Sequence, residues 1–420
     1  MTFISKKFFS FFHNYPRDSY VFIFASLVNS TGSALMWPLT TIYVHNILHR
    51  SYGEAGLVLF FQSLAGVLGQ VIGGSLYHKI GAKNLIVGSL LLSGIAQLGL
   101  IFAKSWYPYI EVMTINGFLN AVTMPAISAF IGFQWREQQF KLFNIIYVSN
   151  NVGVAIGTTL AGILASISFN LTFLINGLTT ILFSAFFYMY VRRFDLKVVN
   201  DEPVGLSPHS DELSTWGLLR NYRAYLFVSL GSLFIWFSTS AWNSGIAPYL
   251  NQKGMSLASY SFLWTVNGLV ILLAQPLTTL FNRFIAKSLG ARLMSSALFY
   301  AIAFLFMWLF HSSYPNLIVG MAIATIGEML ISPTVPALIV QTTGNSSPFY
   351  LGIVGGFGSA GRLIGPILFG NMFDFWGVSP ILAVTTVATF AATFLFAIQR
   401  RYTKQHVSNH TMSETHGTHA

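Results

Sequence analysis

Apolar runs of about 20 residues recur along nearly the whole chain, each ended by a short polar or glycine-containing turn. A run of that length is what a helix needs to cross a bilayer core. Twelve can be drawn, approximately at 20–45, 54–76, 84–103, 107–132, 143–166, 170–191, 223–249, 258–281, 291–311, 315–340, 349–373 and 378–399. They are too long for strands and lack the period-2 alternation of a transmembrane barrel. The expected fold class is therefore an all-α membrane protein. Charge agrees: 8% of the 420 residues are charged and 54% hydrophobic, against roughly 25% charged in soluble proteins. So few polar side chains cannot wet a soluble globule of this size.

The same pattern excludes other classes. The net charge of +10 is spread over short interhelical segments rather than gathered on a face, so nucleic acid is not an expected partner. With no Cys there is no disulfide, thiolate nucleophile or Cys-ligated metal. No phosphate loop is present, which leaves ATP hydrolysis by this chain unsupported. Lys6, Lys7 and Arg17 precede a long apolar run without a small-residue cleavage site, so the N-terminus reads as a first span and not a removable signal. With both termini on the cytoplasmic side, that side holds eighteen Lys and Arg residues, and the opposite side only Arg50, Lys104 and Lys253. This satisfies the positive-inside rule and requires an even number of spans. The expected location is the inner or plasma membrane.

The chain repeats itself. Gly81-Ala82-Lys83 recurs as Gly290-Ala291-Arg292, Gly153, Gly157 and Gly162 as Gly361, Gly365 and Gly370, Pro125 as Pro333, and Tyr43-Val44 as Tyr249-Leu250. A near-constant offset of 206 to 209 residues at four separated places argues for two six-helix halves built alike. The boundaries are drawn as 1–192 for the first half, 193–222 for a cytoplasmic linker, 223–399 for the second half and 400–420 for a disordered cytoplasmic tail. The tail's His406, His410, His416 and His419 lack Cys or acidic clustering and are not taken as a metal site.

Gly74, His78, Lys79, Gly81 and Lys83, between segments 2 and 3, resemble the loop signature of the major facilitator superfamily. His78 stands where that family usually has Asp, which weakens any carboxylate latch. Gly153-x3-Gly157 in segment 5 resembles the family's antiporter motif, with Thr158 in place of the usual Pro; Gly361-x3-Gly365-Pro366 in segment 11 restores it. Glycines four apart let a neighbouring helix approach closely, either as simple packing or as a surface that slides. All ten of these glycines, cations and Pro366 are gating candidates. Segment 10 reads Gly327-Glu328-Met329-Leu330-Ile331-Ser332-Pro333, similar to a segment of bacterial drug/proton antiporters of the twelve-span group.

Glu328 lies near the midplane, where an ionised carboxylate is costly, so it is a candidate to load and release a proton. A structural Glu held by backbone bonds is the plain alternative, and direct recognition of a cationic substrate is a third. Arg362 in segment 11 sits at similar depth and either pairs with Glu328 as a gate or packing device, or faces a cavity and draws an anionic or polyhydroxyl substrate. Glu111, near the outer end of segment 4, fits an interfacial or outer-gate carboxylate, and Asn120 matches Glu328 by the repeat. The resemblance implies that segments 1, 4, 7 and 10 line a central cavity, supported by 2, 5, 8 and 11. Candidate substrate contacts there are Asn29, Trp37, Gln62, Asn120, Trp236, Trp242, Asn243, Trp264 and Asn267, since amides and aromatics can hold a varied lipophilic ligand. Interfacial aromatic belts are the competing role.

The expected function is a transporter rather than an enzyme, with no cofactor: a monomer in the lipid bilayer that exports lipophilic, drug-like small molecules against protons. An exporter or facilitator of sugars or organic anions is the alternative, and a non-transporting receptor or lipid scramblase a more distant one.

Overall fold

A computed structural model describes residues 17–36, 39–50, 52–193 and 224–417. Trp37 and the expected linker, apart from Arg193, lie outside these residues, as do the side chains from residue 403 onward. Among the described residues the elements are helices: α1 (Arg17–Ala34), α2 (Thr40–Asn46), α3 (Tyr52–Ile80), α4 (Ala82–Gly99), α5 (Trp106–Gln134), α6 (Gln139–Ile167) and α7 (Phe169–Arg193) in the first half. The second half has α8 (Ala224–Thr239), a π turn (Trp242–Ile246), α9 (Ala247–Gln252), α10 (Leu257–Leu273), α11 (Gln275–Phe284), α12 (Leu289–Phe310), α13 (Tyr314–Thr343), α14 (Ser347–Trp376) and α15 (Val378–Gly417).

Each segment drawn from the sequence has a helical counterpart, though the first, seventh and eighth are broken. Among the described residues nine stretches are long and apolar enough to cross a membrane, and ten if a bent pair counts as one. One of the nine, Tyr314–Trp376, contains both α13 and α14. The bent pair is α10 and α11, which meet at 57°. Pro276 at the start of α11 has no N–H to continue the ladder, so the chain turns there. At the polar turn between α3 and α4, Gly81 adopts φ +85°, and Gly344 between α13 and α14 adopts φ +53°. A side chain would strain either backbone.

The two halves repeat the same pairings. α1 packs on α6 as α8 packs on α14; α3 on α5 as α10 on α13; α4 on α7 as α12 on α15. The paired glycines explain the first of these. A Cβ on Gly153 or Gly157 would collide with Ser30 and Thr31 of α1, and one on Gly361 or Gly365 with Leu233 and Phe237 of α8 and with Ser240 just past its end. In lipid no hydrophobic drive presses helices together, so such close backbone approach is what holds them. These four glycines therefore clamp helices within each half. The repeat is looser at the turns: Gly81 provides the left-handed turn, whereas Gly290 lies inside α12 against Arg400, and Ser288 caps that helix by accepting the Ala291 N–H.

The halves meet along another glycine seam. Gly74 of α3 faces Pro348 and Gly352 of α14, and Gly352 and Gly355 leave room for Gln70. Gly132 at the end of α5 abuts Val340 at the end of α13, where a Cβ would lie 2.5 Å from a valine methyl. His78 bonds the Asn345 carbonyl, Asn144 donates to Gln275 at the α10–α11 break (3.1 Å), and the Arg292 guanidinium lies 4.1 Å over the Phe140 ring. These contacts fall at the end of the bundle that carries the basic turns. Lys83 stays within its own half, 4.3 Å over Tyr188.

Gly157→Val and Gly361→Val should each lower stability by about 1–3 kcal/mol through overpacking. Gly88→Val, where a Cβ meets nothing within 4 Å, should not. Thermal unfolding of the purified protein in detergent tests this, and equal behaviour of all three would contradict it.

Candidate functional site

Glu328 lies at position 15 of the 30-residue α13, roughly 21 Å from either end at 1.5 Å per residue. Gly327 beside it brings α13 hard against α12, where a Cβ would sit 2.9 Å from the Ser296 carbonyl and the Tyr300 ring. The Ser296 hydroxyl donates to the Gly327 carbonyl (2.7 Å), which satisfies a backbone group at this depth. The carboxylate turns the other way. Asn267 of α10 donates from Nδ2 to Glu328 Oε2 and to Thr325 Oγ1, both at 2.9 Å. Asn267 and Thr325 are buried.

Tyr147 of α6 belongs to the other half, yet its buried hydroxyl lies beside Glu328 and Ser332. It makes no well-aligned hydrogen bond there, so it is close enough to respond to the carboxylate without being locked to it. Sequence inspection missed Tyr147 and Thr325. Tyr147 carries no motif, and its nearness to Glu328 follows from how α6 crosses α13.

Arg362 is placed differently. Among the described residues no acid lies within ion-pair distance of it, and the ion pair found is Arg50–Glu54 at 3.2 Å. Its guanidinium lies 4.4 Å over the Trp236 ring of α8. Of the two outcomes left open by the sequence, Glu328 and Arg362 do not pair in this conformation.

The amides of the first half form a closed network. Asn116 Oδ1 accepts from Ser93 (2.8 Å), Gln97 (3.2 Å) and Asn120 (2.7 Å), while Gln97 Oε1 accepts from Thr180 (3.1 Å). Ser93, Gln97, Asn116 and Thr180 are all buried. Asn120, the counterpart of Glu328 in the repeat, is thus tied into its own half. Of the other candidates, Gln62 packs on Gly117, and Asn29 holds a buried Oδ1 that has no hydrogen-bond partner among the described residues. Trp242 is buried in the second-half core near Phe304. Asn243 accepts from the Tyr260 hydroxyl, and Tyr260 stands 6.5 Å from the more exposed Trp264. Glu111 is exposed on a shallow groove with Phe61, Ile110, Thr114 and Ile115. The structure thus gathers Glu328 with Asn267, Arg362 with Trp236, and Asn243 with Trp264 around Tyr260.

A broken helix pair, a mid-depth acid and two matching halves are features of secondary transporters, and comparison with known proteins agrees. The model of the Major Facilitator Superfamily matches residues 22–345. The uncharacterized MFS-type transporter YttB of Bacillus subtilis is 35% identical over 385 residues, covering 91% of this chain and 95% of that protein. The quinolone resistance protein NorA of Staphylococcus aureus is 22% identical over 92% of this chain and 97% of its own. Among solved structures, the human organic anion transporter MFSD10 (TETRAN) superposes with a TM-score of 0.70 at 14% identity, covering 91% of this chain and 100% of that one.

Replacing Asn116 by Leu removes the acceptor shared by Ser93, Gln97 and Asn120, of which Gln97 keeps Ser93 and Asn120 keeps the residue-116 carbonyl; each buried polar group left unpaired costs about 1–3 kcal/mol. Thermal unfolding in detergent should show Asn116→Leu less stable than Asn120→Leu, because Asn120 is only half-buried and gives up a donor rather than the shared acceptor.

Proposed function

The chain belongs to the major facilitator superfamily, and on that footing we propose that it exports lipophilic, drug-like small molecules in exchange for protons by alternating access. The observation that carries this is Glu328, a mid-depth carboxylate held by Asn267 of its own half and flanked by Tyr147 of the other. When charged, the carboxylate draws the Asn267 amide and the Tyr147 hydroxyl, which ties α13 to α6. A proton arriving from outside cancels that charge and weakens the tie between the halves. Release of the proton inward restores it. Proton binding is thereby linked to the rocking of the halves through a differential contact, as any such coupling requires.

The packed seam of Gly74, Gly352 and Gly355, with His78 against Asn345, lies at the basic end. With that end cytoplasmic, as the positive-inside rule implies, this conformation is closed inward, the pose in which a proton is taken up from outside. NorA, a relative across most of the chain, is named for quinolone resistance, which agrees with export of lipophilic drugs. The working unit is a monomer in the inner or plasma membrane with both termini cytoplasmic.

Purified protein reconstituted into liposomes should release protons when lipophilic compounds are added. Glu328→Gln should abolish that release and gradient-driven transport while leaving yield and thermal stability unchanged; full coupled activity in this variant would remove the assignment. Tyr147→Phe should slow coupled transport about tenfold to a hundredfold, the worth of the hydrogen bond to the charged carboxylate that this cycle would form and break, with substrate affinity retained.

A further inference from the structure

Arg362 is exposed although it lies in the middle of α14. The direction in which it is exposed is informative. At about 100° per residue, the exposed apolar residues Ile364, Ile367, Leu368 and Phe375 lie on roughly the opposite side of the helix. They mark the lipid-facing stripe. On the stripe of Arg362 itself, Gly358, Phe369 and Phe373 are buried, and the exposed Pro366 one turn on lies between them. The guanidinium therefore points into the protein and is accessible there, which places it in an internal recess. A cation at this depth is tolerated where it faces a water-filled cavity or a partner.

The recess is built rather than incidental. Trp236 sits in the hollow left by Gly358, where a Cβ would lie 2.9 Å from the indole, and Arg362, one turn on, covers the ring at 4.4 Å. Gly361 and Gly365 dock the same stretch of α14 onto α8. Both partners are thus fixed before any ligand arrives. Just beyond Trp236 the α-helix gives way to the π turn at Trp242–Ile246, and such irregularities inside spans recur at binding sites. Among the described residues the guanidinium has one long contact to a polar side chain, 3.5 Å to Ser359 Oγ, and no acid within ion-pair distance. Its remaining donors form the planar fork that suits a carboxylate. Glu328, the acid at similar depth, is engaged by Asn267.

We propose that the recess of Arg362 and Trp236 binds the carboxylate of an amphipathic organic acid, whose apolar body lies along the cavity. This narrows the substrate class of the exporter and rests on that reading only in taking the recess to open on the transport path.

Three matched probes test it by titration calorimetry on the full chain in detergent: 2-naphthoate, the neutral 2-naphthamide and the cation (2-naphthylmethyl)trimethylammonium. Naphthoate should bind at least tenfold tighter than the other two. Arg362→Gln should erase that preference and leave the other two within twofold of the wild type. Arg362→Lys should keep part of it, because the charge remains while the fork and the stacking are lost. The proposal is overturned if naphthoate binds no better than naphthamide in the wild type, or if Arg362→Gln keeps the preference. Should Arg362→Gln fail to fold, the wild-type ranking and the lysine variant decide. Transport of the same probes in proteoliposomes separates the two ideas. Naphthoate bound through Arg362 with no proton-linked movement of any probe sinks the exporter and spares the subsite. Proton-linked movement of the cation, with naphthoate neither bound nor moved, does the reverse.

Discussion

Hydrocarbon offers helices neither a hydrophobic push toward one another nor water for their polar groups, and most of this architecture answers that double constraint. Helices are held where side chains vanish. Gly153 and Gly157 seat α6 on α1, Gly361 and Gly365 seat α14 on α8, and Gly74 with Gly352 and Gly355 lets α3 and α14 meet across the halves. Polar side chains, in turn, are satisfied from neighbouring helices. The Asn116 carboxamide gathers three donors, and Ser296 answers the Gly327 carbonyl.

The halves share this scaffold but use it differently. In the first, the amides at mid-depth close on one another and fix α4, α5 and α7 together. In the second, the corresponding level holds an acid whose hydrogen-bond partner sits on a neighbouring helix and a base with donors to spare. One half resembles a rigid frame and the other carries the charges. At mid-depth Tyr147 joins them, since it reaches from the first half to the acid of the second, as His78 and Asn144 do at the basic end.

The glycine spacing made the tight helix pairs legible in the sequence, because only glycine at i and i+4 clears a whole stripe. Which helix each pair would meet was not legible. The motif glycines of α6 and α14 turned inward to their own halves, while the seam between halves fell to Gly352 and Gly355, together with Gly74 of the loop signature. Likewise Trp242 and Trp236 look alike as residues in one segment, yet Trp242 is buried in the core and Trp236 lies under the guanidinium.

By itself the sequence determined the solvent, the helical class, the duplication and the depth of Glu328 and Arg362, because each depends on composition or on counting residues along a helix of known rise. Tertiary structure alone decided the partners. Whether two side chains at the same depth touch depends on the rotation of each helix about its axis and on which neighbour it crosses, and a 208-residue repeat fixes neither. So Asn267 faces Glu328, Trp236 faces Arg362, and the acid and the base stand apart.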